Sequence, residues 1–384
     1  MKVLIVCHDA SLSGANLSLL DWLQDSATQN LEVVCLLPKK NEAFISELKK
    51  NGCTVWIGYY ATIVKRLSKV SFITKCKDLL KRIYNCFFKI FLLDGLERKI
   101  IKENINIIHS NSFATTLGCT LAMRVKLPHI WHIREFMDDD YHIAHIKSSK
   151  DDAMCRYSYA IFISPVIEKH YLNRFKFRDF TTMIDCVRYN KNYLKERSFC
   201  ADGSCNILIA GAIAPHKGQV EAVNAIKKVH GDGFPVSLTI CGQGDASELY
   251  RLINKEDEDY IHFLGYRNDL EQIRKGIDLA LVCSSREALG RVTIEAMYYE
   301  NLVIGADSGC THYLVDNLKT GLLYSAGNYL SLARKIEYAL THVDEMKGII
   351  YNAREKSIEH FSRGIASEIC TYYNKCLSDF VDMD

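Results

Sequence analysis

The run Leu279-Ala280-Leu281-Val282-Cys283-Ser284-Ser285-Arg286-Glu287-Ala288-Leu289-Gly290-Arg291-Val292-Thr293-Ile294-Glu295 changes character twice. Its first five residues are continuously apolar, as in a strand buried on both faces. The residues that follow leave the strand and open a helix that continues through Ala296-Met297-Tyr298. Strand, loop and helix in that order make half of a βαβ unit. Glu287 falls in the loop and Glu295 about one turn inside the helix. Between them lies a helix start, where N–H groups without intrahelical partners and the helix dipole favour an anion. A carboxylate one turn in can accept bonds from two vicinal ribose hydroxyls, and one at the loop tip can hold sugar hydroxyls beyond a phosphate. Spacing alone favours a plainer reading, a surface helix with two solvated glutamates.

Working outward, the same alternation fills the chain. Apolar runs occur at Val3–Cys7, Leu31–Leu37, Thr54–Ile57, Ile105–His109, Ile130–Ile133, Tyr159–Ser164 and Thr182–Ile184. The second half adds Asn206–Ala210, Ser237–Cys241, Ile261–Leu264, Leu279–Cys283, Leu302–Gly305 and Gly321–Tyr324. The pattern predicts an α/β protein with doubly wound parallel sheets, and the runs are too many for one ordinary open sheet. With 384 residues, two domains are expected. The polar stretch Arg188–Ser204 separates them, giving 1–195, 196–364 and a closing amphipathic helix over 365–384 that packs back on the first domain.

Composition excludes several classes. Forty-eight basic against 46 acidic side chains leave a net charge of +2, so no global field attracts nucleic acid. The 15 cysteines include no C-x-x-C pair, which removes the usual zinc and thioredoxin-like spacings. Most sit in strand-like runs as small hydrophobes. Met1-Lys2-Val3 runs straight into a strand pattern, and no apolar stretch reaches the ~20 residues of a membrane span. A cytoplasmic chain with reduced thiols is expected. One segment breaks the balance: 61–93 carries eight basic residues and one acid, Asp78, among Ile73, Phe87, Phe88 and Phe91. It reads either as a peripheral contact with an anionic membrane or as an insertion packed on the first domain.

Other junctions carry candidate chemistry. Gly211-Ala212-Ile213-Ala214-Pro215-His216-Lys217-Gly218 joins a strand to a helix, and its lysine can put a point charge on a diphosphate. It is not the phosphate loop in which lysine follows the last glycine. Gly242-Gln243-Gly244-Asp245 follows a strand but lacks the third glycine of a dinucleotide fingerprint, with Ser247 in its place. Ser11-Leu12-Ser13-Gly14 and Trp131-His132-Ile133-Arg134-Glu135 lie at strand ends where α/β sheets bind ligands; by position alone His132 is a core histidine. Asp138-Asp139-Asp140 reads as a solvated acidic turn rather than a metal site.

Taken together these regions resemble the retaining glycosyltransferases of the GT-B fold, in particular glycosyltransferase family 4. The family pattern of a lysine loop, a G-x-G loop, E-x7-E, a small-residue turn and a T-G-L-L strand is similar to Gly211–Gly218, Gly242–Gly244, Glu287–Glu295, Ser308–Thr311 and Thr320–Leu323. The run from Glu287 to Met297 and Trp131–Phe136 look like the bacterial capsule and cell-surface polysaccharide subgroup. The resemblance implies two Rossmann-like domains facing each other across a cleft. It also implies a nucleoside-diphosphate sugar, such as a UDP-sugar, as donor, a glycan or lipid-linked acceptor, and no cofactor or divalent metal. Lys217, Glu287 and His132 are implied to serve the reacting sugar and diphosphate. Gly14, Gly211, Gly242, Gly265, Tyr266, Ala288, Leu289, Gly290, Arg291 and Glu295 are implied to bind the donor. Ala212 departs from the pattern, since arginine is frequent there; Arg291 is a candidate substitute. Two other readings stay open: a sugar-nucleotide epimerase of the same architecture, and a non-catalytic nucleotide-sugar-binding partner.

Overall fold

The computed structural model describes residues 1–12, 14–26, 30–60, 65–66, 91–137, 143–144, 149–187, 193, 195 and 198–381. The chain divides into two compact units, Met1–Cys186 with Gly364–Asp384, and Val187–Arg363.

Unit 1 is built on a parallel sheet of β1 (Lys2–Val6), β2 (Glu32–Leu37), β3 (Thr54–Ile57), β5 (Ile107–Ser110), β6 (His129–Ile133), β8 (Tyr159–Phe162) and β9 (Phe180–Thr182), in the order β3-β2-β1-β5-β6-β8-β9. Two short strands, β4 (Lys65–Arg66) and β7 (Ile143–Ala144), pair antiparallel outside it. Alternation along β1 explains its apolar run. Val3 and Ile5 enter one core with Trp22 and Phe44, while Leu4 and Val6 enter the core on the other face with Trp56 and Leu121. The closing helix Ala366–Val381 places Ile369, Tyr372, Tyr373 and Cys376 in the first of these cores, against Leu19 and Leu23.

Unit 2 repeats the plan with β10 (Cys205–Ala210), β11 (Val236–Cys241), β12 (Ile261–Gly265), β13 (Leu279–Val282), β14 (Leu302–Ala306) and β15 (Leu322–Tyr324), all parallel, in the order β12-β11-β10-β13-β14-β15. In both units the chain starts mid-sheet and winds outward twice, so the order reverses beside β1 and beside β10. At such a reversal the loops leaving neighbouring strands diverge and open a crevice at the carboxyl ends. The edge strand expected at Thr182–Ile184 forms two residues earlier, at Phe180–Thr182, and its partial exposure blurs the apolar signal. No described helix is long and apolar enough to cross a membrane.

Candidate active site

In unit 2 the crevice lies between β10 and β13, and two loops meet there. After β10, Pro215–Lys217 form one 3-10 turn and Gly218 takes φ 72° before the helix Gln219–Gly231. A Cβ on Gly218 would stand 2.3 Å from the Cys283 carbonyl oxygen, so only glycine lets the lysine loop lie this close to the end of β13. The Gln219 amide donates to the Ala212 carbonyl at 2.9 Å and braces the loop from inside. Gly242 lies so near the lysine loop that a Cβ would reach the Gly211 oxygen at 1.8 Å. Its N–H donates to Gly265 O at 2.8 Å, and Gly211 N–H donates to Cys241 O at 2.9 Å. Gly211, Gly242 and Gly265 therefore stitch neighbouring strand ends together. Tyr266 follows, 67% exposed.

The loop after β13 crosses onto the lysine loop. Ser285 N–H donates to His216 O at 3.0 Å. Lys217 Nζ lies 3.0 Å from Glu287 Oε2 and 3.2 Å from Oε1, with both side chains partly buried. Glu287 is held from behind by the Ser308–Cys310 turn. Cys310 N–H donates to Glu287 O at 2.8 Å, and Gly309, at φ 52°, leaves room for the Glu287 N–H. Gly290, at φ 89°, then turns the chain into the helix Arg291–Tyr298 with no side-chain cap. The Leu289 side chain packs inward, so this residue presents backbone at the helix mouth.

Glu295 sits one turn along that helix and does not join the Lys217–Glu287 pair. Its Oε2 lies 3.4 Å from Arg274 Nη2. Arg274 is buried and also donates to Asn301 Oδ1 at 3.3 Å. Asn301 in turn donates to the carbonyls of Arg274 at 3.0 Å and Ile277 at 2.8 Å. Sequence reasoning missed Arg274, because an arginine near the end of a short helix ordinarily reads as solvated.

Gly14 and His132 belong to unit 1. A Cβ on Gly14 would meet nothing within 4 Å, so space does not demand glycine there. His132 is fully buried. Its Nδ1 lies 2.9 Å from Arg134 Nη2, and because arginine can only donate, the ring proton is on Nε2. That nitrogen faces Asp185 Oδ1 at 3.7 Å. Burial, with help from Arg134 and His109, pushes the His132 pKa well down, so the ring is neutral. Arg134 forms a buried ion pair with Asp185 and donates from Nε to Asn111 Oδ1 at 3.2 Å. Asn111 donates to Asn16 Oδ1 at 3.3 Å, and Asn16 to Asp9 Oδ1 at 2.7 Å, which carries the network into the first loop. Among the described residues, Cys200, Cys205 and Asp278 form one group with metal-ligand spacing. Both Asp278 oxygens already accept backbone N–H groups, from Cys200 at 3.0 Å and Asn206 at 2.8 Å, as a clasp on the start of β10. Asp138–Asp140 lie outside the described residues.

Two Rossmann-like units, the second with a lysine loop crossed at a helix mouth, follow the plan of the GT-B fold. Residues 194–356 match the family described as Glycosyl transferases group 1. Among solved structures, Anabaena Alr3699/HepE in complex with UDP-glucose superposes with a TM-score of 0.77 at 18% identity, covering 99% of this chain and all of that one. TarM superposes with a TM-score of 0.72 at 14% identity, with 98% of each chain covered. Among curated proteins, the Campylobacter jejuni GalNAc-alpha-(1->4)-GalNAc-alpha-(1->3)-diNAcBac-PP-undecaprenol alpha-1,4-N-acetyl-D-galactosaminyltransferase is 23% identical over 290 residues, 72% of this chain and 76% of its own length. The Staphylococcus aureus capsular polysaccharide biosynthesis glycosyltransferase CapM is 25% identical over 179 residues, 44% of this chain and 46% of its own.

Proposed function

We propose that this chain is a retaining glycosyltransferase that moves a sugar from a UDP-sugar to a hydroxyl of a glycan or lipid-linked acceptor in cell-surface polysaccharide synthesis. The observation that carries the reading is the meeting of Lys217 and Glu287 at 3.0 Å beside an uncapped helix start. UDP in the HepE complexes supports the choice of nucleotide. The undecaprenol-linked acceptor in the C. jejuni protein's name supports the acceptor class.

The difficult step is departure of the diphosphate while the sugar becomes oxocarbenium-like. Lys217 and the backbone of Ala288, Leu289, Gly290 and Arg291 stabilise the growing charge, which is the role of preorganised donors at developing anions. Glu287 trades its bond to Lys217 for hydroxyls of the transferred sugar. Glu295, oriented by Arg274, takes the ribose hydroxyls, and Gly265 with Tyr266 borders the base. Because protein groups perform the charge stabilisation, no divalent ion is required.

Incubation with a panel of UDP-sugars and undecaprenyl-pyrophosphate-linked acceptors, read by mass spectrometry, tests the reading. A gain of one sugar that survives EDTA, with the donor's anomeric configuration kept in the NMR spectrum, is expected. Loss of turnover in EDTA with rescue by Mn²⁺ overturns the metal-free mechanism. Conversion of the donor without acceptor indicates an epimerase, and binding of UDP without transfer indicates a non-catalytic partner. Glu295→Ala is expected to weaken UDP binding roughly 10- to 100-fold by calorimetry, the effect of losing hydrogen bonds to a charged group; unchanged affinity removes its ribose role.

Peripheral membrane contact through 61–93 is part of this proposal. Residues 61–64 and 67–90 lie outside the described residues, but Phe91, at the start of the helix over 91–102, is 79% exposed. Sedimentation with phosphatidylserine liposomes that weakens in high salt is expected. Failure to sediment at low salt removes the contact.

A further inference from the structure

Near the start of unit 2, Tyr193 and Lys195 reach the end of the helix Arg291–Tyr298 that lies farthest from its mouth. The half-buried Lys195 sends its ammonium into a nest of carbonyls. Its Nζ donates to Ile277 O, and lies 3.2 Å from Glu300 O and 3.4 Å from the carbonyl oxygens of Arg274 and Tyr299. The carbonyls of Tyr299 and Glu300 follow the helix Arg291–Tyr298, and those of Arg274 and Ile277 lie at the end of the short helix Leu270–Lys275. The buried Tyr193 donates its hydroxyl to Tyr299 O at 3.1 Å, and its ring meets the Tyr299 ring edge-on with centroids 4.5 Å apart.

Carbonyls in the last turn of a helix lack intrahelical donors, and the helix dipole favours a cation beside them. An ammonium carries three N–H donors on one centre, so it serves two helix ends at once only where they converge. Lys195 therefore ties both ends to one point. Asn301 reinforces the same point, donating to Arg274 O, to Ile277 O and, at 3.3 Å, to Tyr299 O. From there two short routes lead to Glu295. The Tyr299 N–H donates to Glu295 O at 2.9 Å. Arg274, whose carbonyl faces Lys195, places Nη2 3.4 Å from Glu295 Oε2. That separation is near the outer limit of a hydrogen bond, so a small shift of either helix end breaks it.

We infer that Lys195, with Tyr193 beside it, is a positioning residue for ribose recognition: it fixes the two helix ends at the spacing at which Arg274 aims Glu295. This role rests on the UDP-sugar reading and adds to it a residue that acts through Arg274 and Glu295 instead of on the nucleotide. A lysine that merely capped two helices would weaken every part of nucleotide binding alike. A lysine that aims Glu295 changes the ribose contact and spares the diphosphate contact, because the lysine loop is braced separately by Gln219 and by the Ser285-to-His216 bond.

Calorimetry of the full chain with UDP and with 2′-deoxy-UDP tests the role. The wild type is expected to prefer UDP about tenfold, the effect of one hydrogen bond to a charged group. Lys195→Met is expected to cut that preference to about threefold or less, with affinity for 2′-deoxy-UDP held within about twofold. Tyr193→Phe removes one hydroxyl and keeps the ring packing, so it guards against misfolding, and it is expected to lower the preference about twofold. A preference unchanged in Lys195→Met overturns the role, as does an equal loss of both nucleotides. Where Lys195→Met does not fold, a preference unchanged in Tyr193→Phe overturns it. A wild type that binds the two nucleotides equally overturns it too, since there is then no ribose contact to aim. A wild type that binds neither is a different result, and it sinks the UDP-sugar reading itself.

Discussion

Lys217→Ala is expected to lower kcat about 100- to 1000-fold, the loss typical of deleting one preorganised group at a developing anion. In the proposed reaction the diphosphate gains negative charge as the sugar–oxygen bond breaks. In the proposed transfer, Ala212 leaves the lysine loop without the arginine common in the family pattern, so the larger share of the stabilisation is assigned to Lys217. Its geometry is set by backbone. The 3-10 turn Pro215–Lys217, the Gly218 close approach and the Ser285-to-His216 bond fix where the ammonium starts from. Stability should change little, because a partly exposed lysine–carboxylate pair contributes about 1 kcal/mol or less. Rate and melting temperature are therefore separable. Lys217→Arg keeps the charge but not its compact geometry, and partial activity is expected. A Lys217→Ala enzyme within threefold of wild-type kcat at saturating donor would mean that the leaving group is stabilised elsewhere.

The fold was legible because its strands are buried on both faces. Val3 to Val6 are all fully buried, and such runs stay continuously apolar. Legibility fell at the margins. β9 is half exposed and was expected two residues late, and β4 with β7 are two-residue strands with no pattern to find. In the site, the order of the motifs was readable but their partners were not. Lys217 and Glu287 are 70 positions apart, and nothing local announces their contact. The same holds for Arg274 with Glu295 and for Arg134 with Asp185. Asp185 stands in Met183-Ile184-Asp185-Cys186, where a lone acid carries no signal. Gly242 illustrates a different gap. A glycine pair after a strand suggests a ligand's approach, whereas the backbone that Gly242 admits is that of Gly211.

Acid should unfold unit 1 selectively, with stability at pH 5 roughly 4–6 kcal/mol below that at pH 7.5. His109, His129 and His132 are fully buried, and burial is the first cause of a lowered pKa in each. His109 is pushed down to about 3. The rings have partners that a neutral imidazole can meet: His109 meets the Tyr373 hydroxyl at 2.6 Å, and His129 lies between Ser110 at 2.9 Å and Ser158 at 2.7 Å. Because the folded values lie below the unfolded one of about 6.5, the unfolded chain binds more protons as pH falls. Stability is thus complete above about pH 6.5 and declines below it, by ~1.4 kcal/mol per pH unit for each ring. Glu135, raised rather than lowered, takes up its proton in the folded state and offsets part of the loss. The measurement is specific, since all three tryptophans, Trp22, Trp56 and Trp131, lie in unit 1. Urea unfolding followed by their fluorescence should show a midpoint about 2 M lower at pH 5, given a slope of ~2–3 kcal/mol per molar urea. His129→Gln removes one of the three groups and should flatten the pH dependence by about a third. A midpoint that moves by less than 0.5 M between the two pH values would show that these rings accept protons in place, and with them that the polar interior of unit 1 opens to water.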